Sequence, residues 1–176
     1  MLNKTGFSGI LLLAMIALLS GGCSSGGDSG TGNGTQDPTT ATIKITAIGT
    51  LPTNSTIGGV DLSLILPAGV TVKTSPGNLS ALVPDAGIVT ASGAAAANSR
   101  VYAVYTAGAG AVLGSVRILL ANTQGFAPGE FVTVDCDIAS GHRPATADFS
   151  ASGIKFVDGN GKALDGLSAT VNAVLQ

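Results

Sequence analysis

Apolar and polar residues alternate in short runs from residue 41 to the C-terminus. The period of two is clearest at residues 43–46 and 60–65, where Ile, Val or Leu recurs at every second position. Such alternation is typical of β-strands with one buried and one solvated face. Further β-rich runs lie at residues 87–91, 100–106, 112–120, 131–138, 153–158 and 167–175. The alanine run at 94–97 permits one helical turn, but no amphipathic helix stands out, so we expect an all-β fold.

Clusters of turn-forming residues separate these runs. They include residues 75–78 and 127–129, and the Asn-Gly pair at 160–161, which predicts a hairpin because Asn-Gly accepts positive φ. The clusters recur about every 8–15 residues, a spacing typical of sandwiches. No repeat of fixed period is visible, which argues against a solenoid or propeller. We therefore predict a β-sandwich of the jelly-roll kind with about nine strands in residues 41–176.

The first 22 residues have the layout of a secretory signal. Lys4 supplies a positive start, residues 10–19 form a continuous apolar run, and the small residues 20–22 precede Cys23. A helix needs roughly 20 apolar residues to cross a bilayer, so this run is too short for a permanent transmembrane anchor. Residues 1–22 are therefore predicted to be a signal peptide and to lie outside the fold.

Residues 18–23 resemble the bacterial lipobox, in which the peptide is cut before a cysteine that then carries a diacylglycerol. The sequence departs from that pattern at Ser20, where Leu is usual. The resemblance implies that Cys23 carries acyl chains, such as palmitate, and holds the chain at the cell envelope. Ser24 follows the cysteine instead of Asp, which in Gram-negative lipoproteins favours the outer membrane or cell surface. The alternative is an ordinary signal peptide with a cysteine near its cut site.

The segment after the cysteine, residues 24–40, is almost purely Gly, Ser, Thr, Asn and Asp. It has no large apolar side chain to anchor it to a core, so residues 23–40 are predicted to form a disordered tether. A flexible chain of this length typically spans roughly 20–25 Å. The composition changes at Ala41, where the predicted β-sandwich domain, residues 41–176, begins.

Charge and cysteine content narrow the function classes further. Loss of Lys4 with the signal leaves 7 basic against 10 acidic residues, so no basic patch favours nucleic acid. With Cys23 lipidated, Cys136 has no cysteine left to pair with inside the chain. Cys136 shares one side of a predicted strand with Val132, Val134 and Ile138, which predicts a small buried core residue. A reactive or intermolecular thiol is the alternative.

The ionisable residues form no recognisable catalytic set. His142 is the only histidine and lies in a predicted loop, and no Gly-x-Ser-x-Gly motif accompanies it. Glu130 is the only glutamate. Asp135 and Asp137 share the side of a strand opposite to Cys136, which predicts a polar outer face, with a weak cation site as the alternative. We therefore predict no catalytic residue, no metal site and no cofactor.

Two further features, a segment that resembles a calcium loop and the aromatic residues, suggest ligand binding but are better explained by turn formation and core packing. Residues 158–162 resemble the start of a calcium loop, but Lys162 stands where an acidic ligand belongs and Ala169 occupies the twelfth position, so a hairpin turn is expected. Flat stacking on a polysaccharide requires exposed aromatic rings. The chain has no Trp, and Tyr102 and Tyr105 are predicted on opposite faces of one strand. Core or loop-packing roles are expected for Phe126, Phe131, Phe149 and Phe156.

Four segments, taken in order, resemble the cohesin-type domain of cellulosomal and related bacterial proteins. They are residues 59–70, 100–106, 114–120 and 156–161, and together they span most of the predicted domain. Leu120 stands where the family commonly has Phe, and the family's Tyr-Asp-Pro is missing from the first segment. The resemblance implies a sandwich close to those of carbohydrate-binding modules, and a scaffolding receptor for a dockerin-like partner. It places no partner-contacting residue on this sequence.

The sequence therefore favours a non-catalytic binding module that recognises a protein, such as a dockerin-like partner, or a carbohydrate. The alternative is a structural subunit of a surface or envelope assembly that pairs through its sheet edges. A hydrolase is the least favoured class. The ligand-binding residues and the oligomeric state are not predicted.

Overall fold

The computed structural model describes residues 37–74 and 83–176. The predicted signal peptide, Cys23, tether residues 24–36 and the turn predicted at 75–78 lie outside the described residues. Where the chain is described, nine strands account for most of the fold. They are β1 (Thr40–Gly49), β2 (Ile57–Leu66), β3 (Val70–Thr71), β4 (Val89–Ala91), β5 (Ser99–Thr106), β6 (Gly114–Phe126), β7 (Gly129–Ile138), β8 (Ser150–Val157) and β9 (Leu167–Leu175).

The strands form two antiparallel sheets that pack face to face. The four-stranded sheet has the order β5-β6-β2-β8. The five-stranded sheet has the order β3-β7-β1-β9, and β4 also pairs with β7. Alternate residues of each strand point into the space between the sheets, as the period of two in the sequence requires. The molecule is therefore an all-β sandwich, which confirms the predicted fold class.

The core lies between the inner faces of the two sheets. The four-stranded sheet contributes the even-numbered apolar residues of β2, and the five-stranded sheet contributes Ile43 and Ile45 of β1. Phe131 is fully buried, with its ring centroid 6.2 Å from Phe126 and 6.0 Å from Phe156. All four phenylalanines assigned to packing are buried, which confirms those roles. They are Phe126, Phe131, Phe149 and Phe156.

Several strand boundaries differ from the sequence prediction. β6 starts at Gly114 instead of residue 112 and continues to Phe126, so Val112 lies in a loop. The run predicted at 87–91 contributes only the three residues of β4. The alanine run forms a short 3-10 turn at Gly93–Ala95, which packs beside β7. Strand length depends on how many partners the neighbouring strand offers, and that is a tertiary property.

The Asn-Gly turn after β8 forms as predicted, with one difference in conformation. The amide of Asp158 donates to the Lys162 carbonyl at 2.9 Å, and the Gly161 amide donates to the Asp158 carbonyl at 3.0 Å. Gly161 carries the positive φ, +82°, whereas Asn160 does not adopt one. This matches a turn followed by a glycine in the left-handed region. Beyond the turn the chain crosses to the other sheet, where β9 pairs with β1.

Candidate functional site

The outer face of the four-stranded sheet carries an apolar groove of about 570 Å³. The register of the strands places two rows of outward residues across it. The first row is Arg100, Ala121, Gly59 and Val157, and the second row is Tyr102, Leu119, Asp61 and Lys155. We call these eight residues the sheet groove.

The floor of the sheet groove is low because its central positions have small side chains. Gly59 and Ala121 are adjacent on β2 and β6, between the longer side chains of the neighbouring strands. A Cβ atom at Gly59 would lie 3.0 Å from Cγ2 of Val157 and 3.3 Å from the Leu120 carbonyl oxygen. Glycine at this position therefore keeps the middle of the sheet open and lets β8 lie close to β2.

Two large apolar side chains stand exposed on one side of the groove. Tyr102 on β5 is 55% exposed, and Leu119, directly opposite on β6, is 38% exposed. Contact across the strands restricts both side chains of such a pair before binding, so little further conformational freedom is lost when a partner covers them. An exposed tyrosine on a concave apolar surface is a common anchor of protein interfaces.

Charged side chains surround the apolar part of the groove. Arg117 donates from Nε and Nη2 to the Asp61 carboxylate at 3.2 and 3.0 Å. The hydrogen bond to Asp61, followed by its negative charge, raises the pKa of Arg117 above its usual value. Arg100 and Lys155 stand at opposite edges of the sheet, so cations flank the apolar floor on both sides. The arrangement suits a ligand with an apolar side chain flanked by carboxylates.

His142 lies in the loop that follows β7, as the sequence predicts. Its amide donates to the Ala139 carbonyl at 3.1 Å, and its ring covers Gly69, where an added Cβ would clash at 2.2 Å with ring atom Cγ. Within residues 37–74 and 83–176, no hydrogen bond or ion pair joins the ring to an acid or a nucleophile. The structure therefore gives His142 a packing role over the β2–β3 turn.

Glu130 lies at the outer face of the five-stranded sheet. Its carboxylate is 3.3 Å from Nζ of Lys44 and accepts a hydrogen bond from the Thr133 hydroxyl at 3.4 Å. The pKa of Glu130 is lowered, first by the nearby Ser92 hydroxyl and then by Lys44 and Thr133. The Ser92 Oγ atom is buried and faces the carboxylate without reaching good hydrogen-bond geometry. These contacts place Glu130 in a structural ion pair.

Asp135 and Asp137 occupy the outer side of β7, as predicted. Asp135 accepts a hydrogen bond from the Thr42 hydroxyl at 2.9 Å, and Asp137 lies 3.7 Å from Nζ of Lys73. Each carboxylate therefore already has a partner of its own. In the described parts of the chain, no cluster of three or more His, Cys, Asp or Glu side chains is placed to hold a metal ion.

Asp158 acts as a turn residue. Its Oδ1 atom accepts hydrogen bonds from the amides of Asn160 and Lys162, both at 2.9 Å. A carboxylate oxygen committed to two backbone amides is a typical stabiliser of a hairpin turn. This geometry supports the hairpin interpretation over the calcium-loop resemblance.

Cys136 is a buried free thiol on the inner side of β7, which confirms the prediction of a core residue. Burial, helped by the negative charges of Asp135 and Asp137, raises the pKa of this thiol to about 12. Because the thiolate is the reactive species, this thiol is unreactive in the folded protein near neutral pH.

The two tyrosines lie on opposite faces of β5, as the sequence predicts, and the structure shows that Tyr105 is the buried one and Tyr102 the exposed one. The sequence reasoning nevertheless missed the sheet groove. It assigned an outer face only at Asp135 and Asp137 and did not follow the outward residues of the strands that form the groove. The available signal was the exception to alternation at Leu119, an apolar residue at an outward position between the inward Ile118 and Leu120. Which outward residues become neighbours depends on strand order, which the sequence does not show.

No protein-family model matches the sequence, and no curated protein sequence matches it. Among solved structures, the chain is similar to a non-cellulosomal cohesin from the hyperthermophilic archaeon Archaeoglobus fulgidus. The two are 15% identical, the alignment covers 73% of this chain and 75% of the cohesin, and the TM-score is 0.46. Among the described residues, no helix is long and apolar enough to span a bilayer.

Proposed function

We propose that this protein is an exported, non-catalytic binding module that recognises a protein partner through the sheet groove. Cys23 carries the lipid that holds it at the cell envelope, and residues 24–39 connect that lipid to the sandwich. The partner presents an apolar side chain between acidic residues. The observation that carries the proposal is the groove itself: an open apolar surface with an exposed tyrosine and cations on both sides.

The composition of the groove favours a protein partner over a polysaccharide. Sugar rings stack on several coplanar aromatic side chains, and Tyr102 is the single aromatic residue among the groove residues. Side chains of a folded partner fill a concave apolar patch, and its carboxylates complement Arg100 and Lys155. A dockerin-like partner of the kind implied by the sequence resemblance remains part of this proposal.

The test is capture of envelope proteins by the immobilised chain, with a glycan array run in parallel. Leu119→Asp places an unpaired carboxylate in the groove and is expected to abolish capture of the specific partner. Ile48→Asp is the matched control, because Ile48 is 44% exposed on the outer face of the other sheet. A partner retained equally by both variants, or binding to glycans alone, would refute the proposal.

A second candidate function, a subunit of a surface assembly, is favoured by the free edge of β9. Thr40 and Gln176 each donate an amide hydrogen bond to the other's carbonyl, so they form a hydrogen-bonded pair of the antiparallel β1–β9 ladder. Such pairs recur at every second residue, so the even-numbered residues of β9 bond to β1. The backbone groups of the odd-numbered residues 167–175 therefore point away from β1. In the described parts of the chain they make no backbone hydrogen bond on that side.

The β9 edge also carries no charged side chain to oppose strand addition, although the Thr146–Asp148 turn lies beside part of the strand. Edge strands β5 and β8 carry Arg100 and Lys155, and β3 and β4 have only two and three residues. β9 has nine residues and no charge. A long uncharged edge readily accepts another strand. If the β9 strands of two molecules paired antiparallel with Val171 opposite Val171, the outward amides and carbonyls of residues 167–175 in one strand would lie opposite those of the other.

Sedimentation of residues 24–176 tests this second candidate. Assembly that depends on concentration and is lost in Ala169→Pro would support it, because that proline removes an amide which points away from β1. Ser168→Pro serves as the contrast, since it removes an amide of the β1 ladder and is expected to lower stability. A monomer at every concentration would contradict the idea.

A further inference from the structure

The β5–β6 connection, residues 107–113, is an exposed loop without a single polar side chain. Its sequence is Ala-Gly-Ala-Gly-Ala-Val-Leu, and every residue of it is exposed. Val112 is 69% exposed and Leu113 is 49% exposed. Loops normally carry polar residues, and large exposed side chains such as these are candidates for contact with an apolar environment. We call this segment the apolar loop.

The tip of the apolar loop forms its own backbone hydrogen bonds. The Ala109 amide donates to the Val112 carbonyl, and the Val112 amide donates to the Ala109 carbonyl, both at 3.0 Å. Gly110 provides the positive φ, +58°, that a two-residue hairpin turn requires. A backbone group without a partner is costly in lipid, and this pair of bonds satisfies the amides and carbonyls of Ala109 and Val112 at the tip.

The apolar loop lies at the end of the sandwich where the N-terminal segment joins the domain. The loop and residues 67–71 line one cavity of about 200 Å³. The Gly69 carbonyl accepts a hydrogen bond from the Ala139 amide at 2.9 Å, and the adjacent Ile138 amide donates to the Thr39 carbonyl at 2.8 Å. These contacts connect the loop to the point where β1 begins.

An ion pair fixes the N-terminal segment at the same end. Asp37 Oδ1 lies 2.6 Å from Nη2 of Arg143, in the loop that follows β7. The path of the chain into the domain is therefore defined from Asp37 onward, on the side of the molecule that carries the apolar loop. Because Asp37 and Arg143 neutralise each other, this ion pair adds no net charge beside the loop.

We propose that the apolar loop inserts Val112 and Leu113 into the bilayer that holds the lipid on Cys23. The inference rests on the lipid anchor of the proposed function. A Gly/Ser-rich chain of 14 residues, from Cys23 to Asp37, typically spans roughly 20 Å, so the end that it joins stays close to the headgroups. The acyl chains supply the membrane affinity, and the apolar loop sets the orientation of the domain.

Insertion in this orientation leaves the sheet groove accessible. The four strands run along the sandwich, and the apolar loop caps β5 and β6 beyond Thr106 and Gly114. The groove residues on those strands, 100–102 and 119–121, lie several ladder positions away from that end. Contact with the bilayer through the loop would therefore present the binding face sideways to approaching partners.

The absence of Trp from the chain permits a direct test. Full-length chain, exported and lipidated in cells, is reconstituted in phosphatidylcholine vesicles that contain brominated acyl chains. In Leu113→Trp the tryptophan is expected to lose about half or more of its emission to the bromines and to shift to the blue. Ile48→Trp, toward the opposite end of β1, reports the emission of a tryptophan that stays in water.

Two further arms separate the possible outcomes. Val112→Asp, added to the Leu113→Trp chain, places a charge at the exposed tip and is expected to restore the lost emission. Added phosphatidylglycerol is expected to change nothing, since the loop carries no charge. If the chain floats with the vesicles but the Leu113→Trp variant is no more quenched than the Ile48→Trp variant, membrane insertion is refuted while the anchor stands. If the chain does not float, the anchor and the insertion both fall.

Discussion

The outer faces of the two sheets differ in how many of their charged side chains have an ion-pair or hydrogen-bond partner on the same face. On the five-stranded sheet, Lys44 pairs with Glu130, Lys73 pairs with Asp137, and Thr42 donates to Asp135. Its exposed large apolar side chains, Ile48 and Val174, lie apart from these charges on β1 and β9. On the four-stranded sheet, the sheet groove combines one ion pair with exposed apolar side chains and two cations beside them. Both faces share one core and the same antiparallel geometry, so the difference lies in the outward residues alone.

This difference shows which face is available to a partner. A polar face whose charges are already paired gains little from contact, because a partner must compete with existing interactions and with water. An open apolar groove is favoured to lose water. Arg100 and Lys155 beside it, which have no ion-pair partner among the described residues, select the charge of what enters. The contrast predicts that equivalent substitutions on the two faces will have unequal effects on binding.

The largest effect is expected from Tyr102→Ala. Removal of an aromatic anchor from an interface typically costs about 2 kcal/mol or more, or roughly a 30-fold loss of affinity. Thr46→Ala, at an outward position of the five-stranded sheet, should leave affinity unchanged. Calorimetric titration of the captured partner against each variant measures both. Equal losses of affinity for the two substitutions would contradict the prediction that the partner binds the four-stranded face.

The next effect concerns the buried thiol beneath the polar face. The pKa of Cys136 is raised to about 12 in the folded chain, against about 8.5 for an unfolded cysteine. The unfolded chain therefore loses this proton first as the pH rises, and the free energy of unfolding should fall by about 1.4 kcal/mol per pH unit above pH 8.5. Urea titrations at several pH values measure the slope.

Cys136→Ala is the control for that slope. Alanine removes the titrating group and keeps a small apolar side chain at a core position, so the variant should be less stable at neutral pH and less sensitive to alkaline pH. A slope that persists unchanged in Cys136→Ala would assign the alkaline loss of stability to other groups.

A smaller effect is expected when the ion pair of the groove is broken. Asp61→Asn leaves Arg117 without its carboxylate and should lower the urea midpoint slightly at low salt. The difference from the wild type should disappear as salt screens the exposed pair. Because the variant adds a free cation beside the groove, it should also accelerate association with an acidic partner. If stopped-flow association rates do not change with this substitution, the charges beside the sheet groove do not influence how fast the partner associates.

The smallest effect is expected from Glu130→Gln on the other face. The pKa of Glu130 is lowered in the folded chain, so its contribution to stability is present above the unfolded pKa and is lost as the pH falls through the folded pKa. Because the side chain is partly exposed, we expect this contribution to be at most about 0.5 kcal/mol. Acid unfolding of the two chains followed by circular dichroism gives the comparison, and identical curves would show that the pair adds nothing.

The sequence predicted the strands better than their lengths, for a physical reason. Alternation at residues 43–46 and 60–65 arises from the geometry of one strand, so it can be recognised locally. The extension of β6 to Phe126 depends on pairing with Ile57 in β2, more than sixty residues away. The shortness of β4 likewise reflects its place beside β7. Pairing of this kind is not encoded in the pattern of a single segment.

The side-chain roles show the same division. The inward position of Cys136, the opposite faces of Tyr102 and Tyr105, and the turn at Asp158 follow from local rules, and the structure places them as predicted. The sheet groove was not predicted, because Gly59 and Leu119 become neighbours only through the order β5-β6-β2-β8. The lipid on Cys23 stays a prediction, since that residue lies outside the described part of the chain.

By itself, the sequence determined that the domain is all-β, which residues face inward in the clearly alternating strands β1, β2 and β7, and that its ionisable residues form no recognisable catalytic set. Only the tertiary structure decided which outward residues meet in the sheet groove and which loop lies beside the N-terminal segment. The reason is that burial follows a period of two along one strand, whereas a surface site requires residues from separate strands. Their order is set by the packing of the whole sandwich.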